Sequence, residues 1–277
     1  MLHVRCAGMP AGLLAFVLCR ERIRSDHGVP VSTWEVFVPF SGLHLLAVAV
    51  CALLIAGLAT AGRALRERAA EAQLRKSFAV FALCYWFSYV IWWNWNGLDL
   101  DGGLPLHLCD FNGLVAPLAL LTLNRWARAT LYFWSFTLTL QAFIQPLLSD
   151  GPAHLAFWAF WAGHTIIMAS AVYDIAVRGF RPDWRDVRRV IMVSLAYVAV
   201  VTPVNLALGT NYGFIGNPPP GRTIPPFIDA LGPWPGRAII VMVLATIGFV
   251  LALLPWRFAG QCVQFEVDQI EAGERRI

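Results

Sequence analysis

Cys109 and His164 are the two side chains whose types best suit covalent chemistry, and both lie inside long apolar runs. A free thiol is only a few per cent ionised at neutral pH, so it gains as a nucleophile from a nearby base. A thiolate attacks carbonyl carbon, and an imidazole can take and return the proton. Other polar residues share their surroundings. His107, Asp110 and Asn112 fall in the same run as Cys109, and Asn94 and Asn96 close the run before it. Gln141 and Gln145 sit four apart on one face of the next run. Thr202 and Asn205, then Asn211 and Tyr212, end a later one. Polar groups at membrane depth are costly, so each needs a partner or a role. Asp110 is expected to pair with His107, one turn away.

Taken one by one, these residues also have plain readings. A single buried histidine is usually a satisfied core residue, and a single cysteine usually packs as a small apolar group. The amides can serve as interhelical hydrogen bonds, which average about 0.6 kcal/mol. Trp86, Trp92, Trp93 and Trp95 read as an interfacial aromatic belt.

The elements that must hold these residues are membrane helices. The chain has 277 residues, 58% hydrophobic and only 14% charged, against about 25% charged in soluble domains. A helix needs about 20 mainly apolar residues to cross the hydrocarbon. Seven runs qualify: 38–59, 77–95, 104–123, 129–148, 154–177, 187–208 and 237–254. They are continuous rather than alternating, which favours helices over a barrel. The expected fold is an all-α polytopic bundle of about seven spans, occupying residues 34–256. Residues 1–33 form an N-terminal extension that need not span, and 257–277 form a tail. The connection 209–236 is long and crowded with proline and glycine, as binding loops often are.

Loop charges give an orientation. Arginines and Lys76 crowd the loops after the first, third and fifth runs, while Asp99, Asp101, Asp150 and Asp229 mark the others. Basic loops stay cytoplasmic. The N-terminus is then outside and the C-terminus inside a cell membrane, although Arg20, Arg22 and Arg24 oppose this. In that frame the polar residues gather in the outer half. The inner half holds little beyond Ser194 and Thr246. Cys109 falls about 8 Å and His164 about 15 Å below the outer ends of their runs, a difference small enough to permit contact. The basic residues are read as topology signals first. The net charge of +4 is explained by those loops, and no nucleic-acid partner is expected. The six cysteines form no C-x-x-C pair and no zinc spacing. No metal, cofactor or disulfide framework is implied, and the expected partners are membrane lipids.

The strings LPLHLCD (Leu104–Asp110), Trp-Ala-Gly-His at His164 and LGTNYGFIGNPP with LGPWP resemble the YwaF family of bacterial integral membrane proteins. The resemblance runs from about Trp34 to Trp256. It implies kinship with a eukaryotic branch described as a cysteine-dependent acyltransferase acting on lysophospholipids. By motif position the nucleophile falls on Cys109 and its histidine on His164. His107, Asp110, Asn94, Gln141, Gln145, Asn205, Asn211 and Tyr212 are the supporting candidates. The rival reading is a non-enzymatic binder or transporter of a small polar solute, with Asp110 and His164 in its pocket. A polar path continuing through the inner half would favour transport, and the sequence offers none.

Overall fold

The computed structural model describes residues 34–100, 102–217 and 226–274. The extension 1–33, the residues Asp101 and Arg222 and the end of the tail lie outside the described residues. The long connection is described over 209–217 and 226–236.

The fold is helical. Helix α1 spans Gly42–Ala64, α2 Ala69–Trp93 and α3 Leu108–Thr122. Helix α4, Arg125–Trp134, runs through a π-helical turn at Ser135–Thr139 into the single turn α5, Gln141–Ile144. Helices α6, Leu155–Ala176, and α7, Trp184–Leu208, follow. The short α8, Pro226–Asp229, precedes α9, Gly236–Glu274. Side chains set several boundaries. Ser41 caps α1 by accepting from the His44 amide, and Asn124 caps α4 through the Trp126 and Ala127 amides. Asp183 and Asp186 form a capping box on α7, which ends at Gly209 in the left-handed region, φ +66°.

Among the described residues, four helices are long and apolar enough to cross a membrane: α1, α6, α7 and the Gly236–Arg257 part of α9. The other three runs behave differently. Helix α2 has the length, 25 residues, but its first two turns carry Glu71, Arg75 and Lys76. Helix α3 has only 15 residues, about 22 Å at 1.5 Å each, short of the roughly 30 Å of hydrocarbon. The run 129–148 is broken by the π turn and stopped at Gln145 by Pro146, since the residue before proline is driven out of the helical region. The last helix continues through 257–274 rather than ending near Leu254.

The short helix α3 is central. It packs against α2, α4 and α6, while α1 lies on α6, and α7 lies on α4. Its C-terminal end meets a belt of ion pairs. Glu71 takes Arg178 at 3.0 Å, Arg75 at 3.4 Å and the Tyr173 hydroxyl at 3.0 Å. Asp174 takes Arg128 at 2.9 Å, and Asp186 takes Arg125 at 2.5 Å and Arg189 at 2.6 Å. Arg75 also donates to the Leu120 carbonyl in the last turn of α3. Glu71, Asp174 and Asp186 are all buried. This corrects the expectation that this half holds little polarity beyond Ser194 and Thr246. The acids sit at helix ends, beside the loops, so a search inside apolar runs passes over them. The arginines that read as topology markers are also their structural partners.

Candidate functional site

At the opposite end of α3 lies a cavity of about 530 Å³. Its polar lining comes from four segments: His107, Cys109 and Asp110 around the start of α3, Gln141 and Gln145 at α5, Ser149 and Asp150 in the connection that follows, and His164 in α6. Carbon dominates the rest. Tyr85, Trp86, Tyr89 and Trp93 supply one wall from α2, so two of the tryptophans read as a belt face this space instead. Gly213 and Phe214 from the long connection, with Ile228 and Val241, close another side.

The Cys109 thiol is the second residue of α3. His107, the N-cap, makes no side-chain cap bond. The Asp110 carboxylate lies near the backbone amide of His107. This replaces the expected pairing of Asp110 with the His107 ring, which instead rests on Tyr212 (centroids 4.8 Å apart) and Phe214 (6.1 Å). Among the described residues, the amides of Leu108, Cys109 and Asp110 have no acceptor, as befits a first turn. The positive end of a helix dipole and three free donors therefore lie in the same turn as Cys109.

Thr139, in the π turn, lies beside the thiol. Asn112, one turn below on α3, donates from Nδ2 to both Thr139 Oγ1 and Ser135 Oγ, each at 3.2 Å. A π turn shifts its side chains relative to a regular helix and often marks a functional site. Here it presents both hydroxyls to α3. Thr139 and Ser135 escaped the sequence reading. Their only signal is their spacing of four within the run SFTLT.

His164 lies nine residues into α6, about 13 Å from its start. Its Nδ1 contacts the Phe160 carbonyl at 2.7 Å. A carbonyl only accepts, so the proton of a neutral ring resides on Nδ1 and Nε2 carries a lone pair. The ring lies 4.3 Å from the Phe160 ring, centroid to centroid. Thiol and imidazole share the cavity but make no hydrogen bond to each other among the described residues. Gln141 and Gln145 side chains make none either.

Four supporting candidates shape loops and do not line the cavity. Asn94 donates to the Val90 and Gly103 carbonyls at 2.9 and 2.7 Å. Asn205 accepts from the Tyr212 amide and the Thr210 hydroxyl and donates to the Tyr212 carbonyl. Asn211 accepts from the Gly216 amide. The Tyr212 hydroxyl donates to the Leu100 carbonyl at 2.7 Å and accepts from the Leu104 amide. Burial pushes the Tyr212 phenol above its ordinary range, which keeps that proton in place. Among the described residues, no cluster of three or more His, Cys, Asp or Glu could hold a metal.

The sequence model of the TMEM164 family matches residues 39–253, and the chain belongs to that family. No YwaF family model matches, so the resemblance read from the HLCD, GTNY and LGPWP strings is corrected. The comparison with curated proteins found no match, and neither did the comparison with solved structures. With its apolar helices, this is a multi-pass membrane protein.

Proposed function

We propose that this member of the TMEM164 family is an acyltransferase that carries an acyl chain on Cys109, moving it between a phospholipid and a lysophospholipid. One observation carries the reading. A thiol at a helix N-terminus and an imidazole with a free Nε2 open into the same cavity, whose walls are mostly apolar. Such a space suits an acyl chain, with the carbonyl carbon near the sulfur.

His164 accepts the thiol proton, and the sulfur attacks the ester carbonyl. The free amides of the first turn of α3 receive the developing oxyanion. The C–O bond breaks, and His164 returns the proton to the departing lysolipid oxygen. A second lysolipid hydroxyl then attacks the thioester, giving its proton to His164 as the C–S bond breaks. The thiolate regains that proton, so the cycle is redox-neutral. Nucleophile and base often lie apart before substrate binds. Depth supports the same reading. With its C-terminal end at the basic face, α3 falls about 8 Å short of the opposite face. Cys109 then sits below the headgroups, at the level of a lipid ester. With the basic end in the cytoplasm, the cavity faces outward.

The test uses purified protein in liposomes of labelled phosphatidylcholine with lysophosphatidylethanolamine. Transfer should be lost in Cys109→Ala, with a hydroxylamine-sensitive acyl group at Cys109 in the wild type and none in His164→Ala. Full transfer by Cys109→Ala ends the proposal. Stabilisation by a polar solute without acyl labelling would favour the solute binder instead.

A further inference from the structure

Arg237 stands at the start of α9 and is 3% exposed. Its Nη2 donates to the Gly216 carbonyl at 2.9 Å, and its Nε is buried with no partner. Among the described residues no carboxylate lies within ion-pair distance of it, whereas the buried acids of the basic belt are all paired. A buried guanidinium cannot shed its proton and is costly without a counter-charge. Its surroundings suggest where that charge comes from. Val241, one turn further on the same face of α9, lines the cavity, as do Gly213 and Phe214 just before Gly216. Arg237 therefore lies one turn beyond the lining residue Val241 and holds α9 to the Gly216 carbonyl, with most of its donors unused.

We propose that Arg237 is an anion-binding residue for the phosphate group of the molecule that occupies the cavity. A guanidinium fork matches the oxygens of a phosphate in two-point geometry. A mostly apolar cavity, with one buried cation a turn beyond its lining, fits an amphiphile with an anionic head and a long apolar chain, that is, a phospholipid. This rests on the reading of the cavity as a lipid site, but it concerns binding and not transfer.

The experiment is done in Cys109→Ala protein, so its outcome does not depend on acyl chemistry. Three probes are compared: a fluorescent phosphatidylcholine, a diacylglycerol with the same chains, and inorganic phosphate. Arg237→Gln should weaken the phospholipid about tenfold and leave the diacylglycerol unchanged. Arg237→Lys keeps the charge without the fork and should lose about threefold, which covers the case in which the glutamine variant does not fold. Stabilisation by inorganic phosphate alone, lost in Arg237→Gln, keeps the anion site but gives it to a free anion. Equal loss for both lipids, or no loss for any phosphate probe, overturns the proposal. Failure of transfer in the liposome assay would leave this result standing, and the reverse holds too.

Discussion

Thr139→Val tests whether the π turn supports the reactivity of Cys109 or only packs against it. Thr139 is buried, and valine matches its shape while removing the hydroxyl. The direction of the hydrogen bonds follows from Asn112. Its Nδ2 has two hydrogens, one for Ser135 and one for Thr139, and its buried Oδ1 is left alone. Turning the amide over would leave two donors unpaired instead of one acceptor, which is worse. Thr139 Oγ1 therefore accepts from Asn112, and its own proton is free to point at the sulfur once the thiol ionises. Hydrogen bonds to charged groups contribute about 1.5–3 kcal/mol. At about 1.4 kcal/mol per decade, the variant should react roughly ten- to a hundredfold more slowly. The assay is iodoacetamide alkylation in detergent, followed at the Cys109 peptide by mass spectrometry, because Cys84 is also exposed. Thr139→Ser keeps the hydroxyl and should alkylate at nearly the wild-type rate. If the serine variant is slower than the valine variant, Thr139 acts by packing. If neither changes, the hydroxyl does nothing for the sulfur. Either result refutes the reasoning.

Asp174→Asn should destabilise the protein by about 3–5 kcal/mol, because it strips the counter-charge from a largely buried Arg128. A clearly lower unfolding midpoint in detergent is the expected readout, and an unchanged midpoint would show the belt to be dispensable. Gly213→Ala places a methyl group where φ is +66° and where a Cβ would lie 2.5 Å from the Tyr197 hydroxyl. It should cost about 1–3 kcal/mol, and less in a Tyr197→Phe background, since removing that oxygen relieves the clash. Equal losses in both backgrounds would mean that the two residues are not coupled.

Some of this was legible in the residues themselves. His107, Cys109, Asp110, Gln141, Gln145 and His164 stand out as polar positions in apolar runs, and the structure puts all six on one cavity. The same signal also picked Asn94, Asn205, Asn211 and Tyr212. These staple loops instead, because a polar side chain at a helix end serves its own backbone as readily as a ligand. Asp110 shows how close the two cases are: one carboxylate borders the cavity while lying near the backbone amide at the head of its own helix. The break at Ser135–Thr139 left no mark in the composition, since a π turn is set by packing against α3 and not by residue type. The ion-pair belt stayed hidden for a related reason. Glu71, Asp174 and Asp186 find their arginines across 46 to 107 residues of sequence or within about one turn, and hydropathy carries no information on such pairings.

The belt and the cavity are two consequences of one short helix. A helix of 15 residues cannot reach both faces of a bilayer, so one end must be recessed, and what holds the other end decides which. Arg75 binds the Leu120 carbonyl in the last turn of α3, and the αL residue Leu123 with the Asn124 cap turns the chain directly into α4. Arg125 and Arg128 in the first turns of α4 are fastened to Asp186 on α7 and Asp174 on α6. The C-terminal end of α3 is therefore tied to three neighbouring helices at the basic face. Its N-terminal end is left within the bundle, with free amides that lipid cannot satisfy, and Tyr197 and Tyr212 hold the Leu106 and Leu100 carbonyls of the preceding loop. A polar group entering the cavity can complete those amides. On the proposed reading, a thiol placed there would meet its substrate away from bulk water, which favours passing an acyl group to another lipid over losing it to hydrolysis.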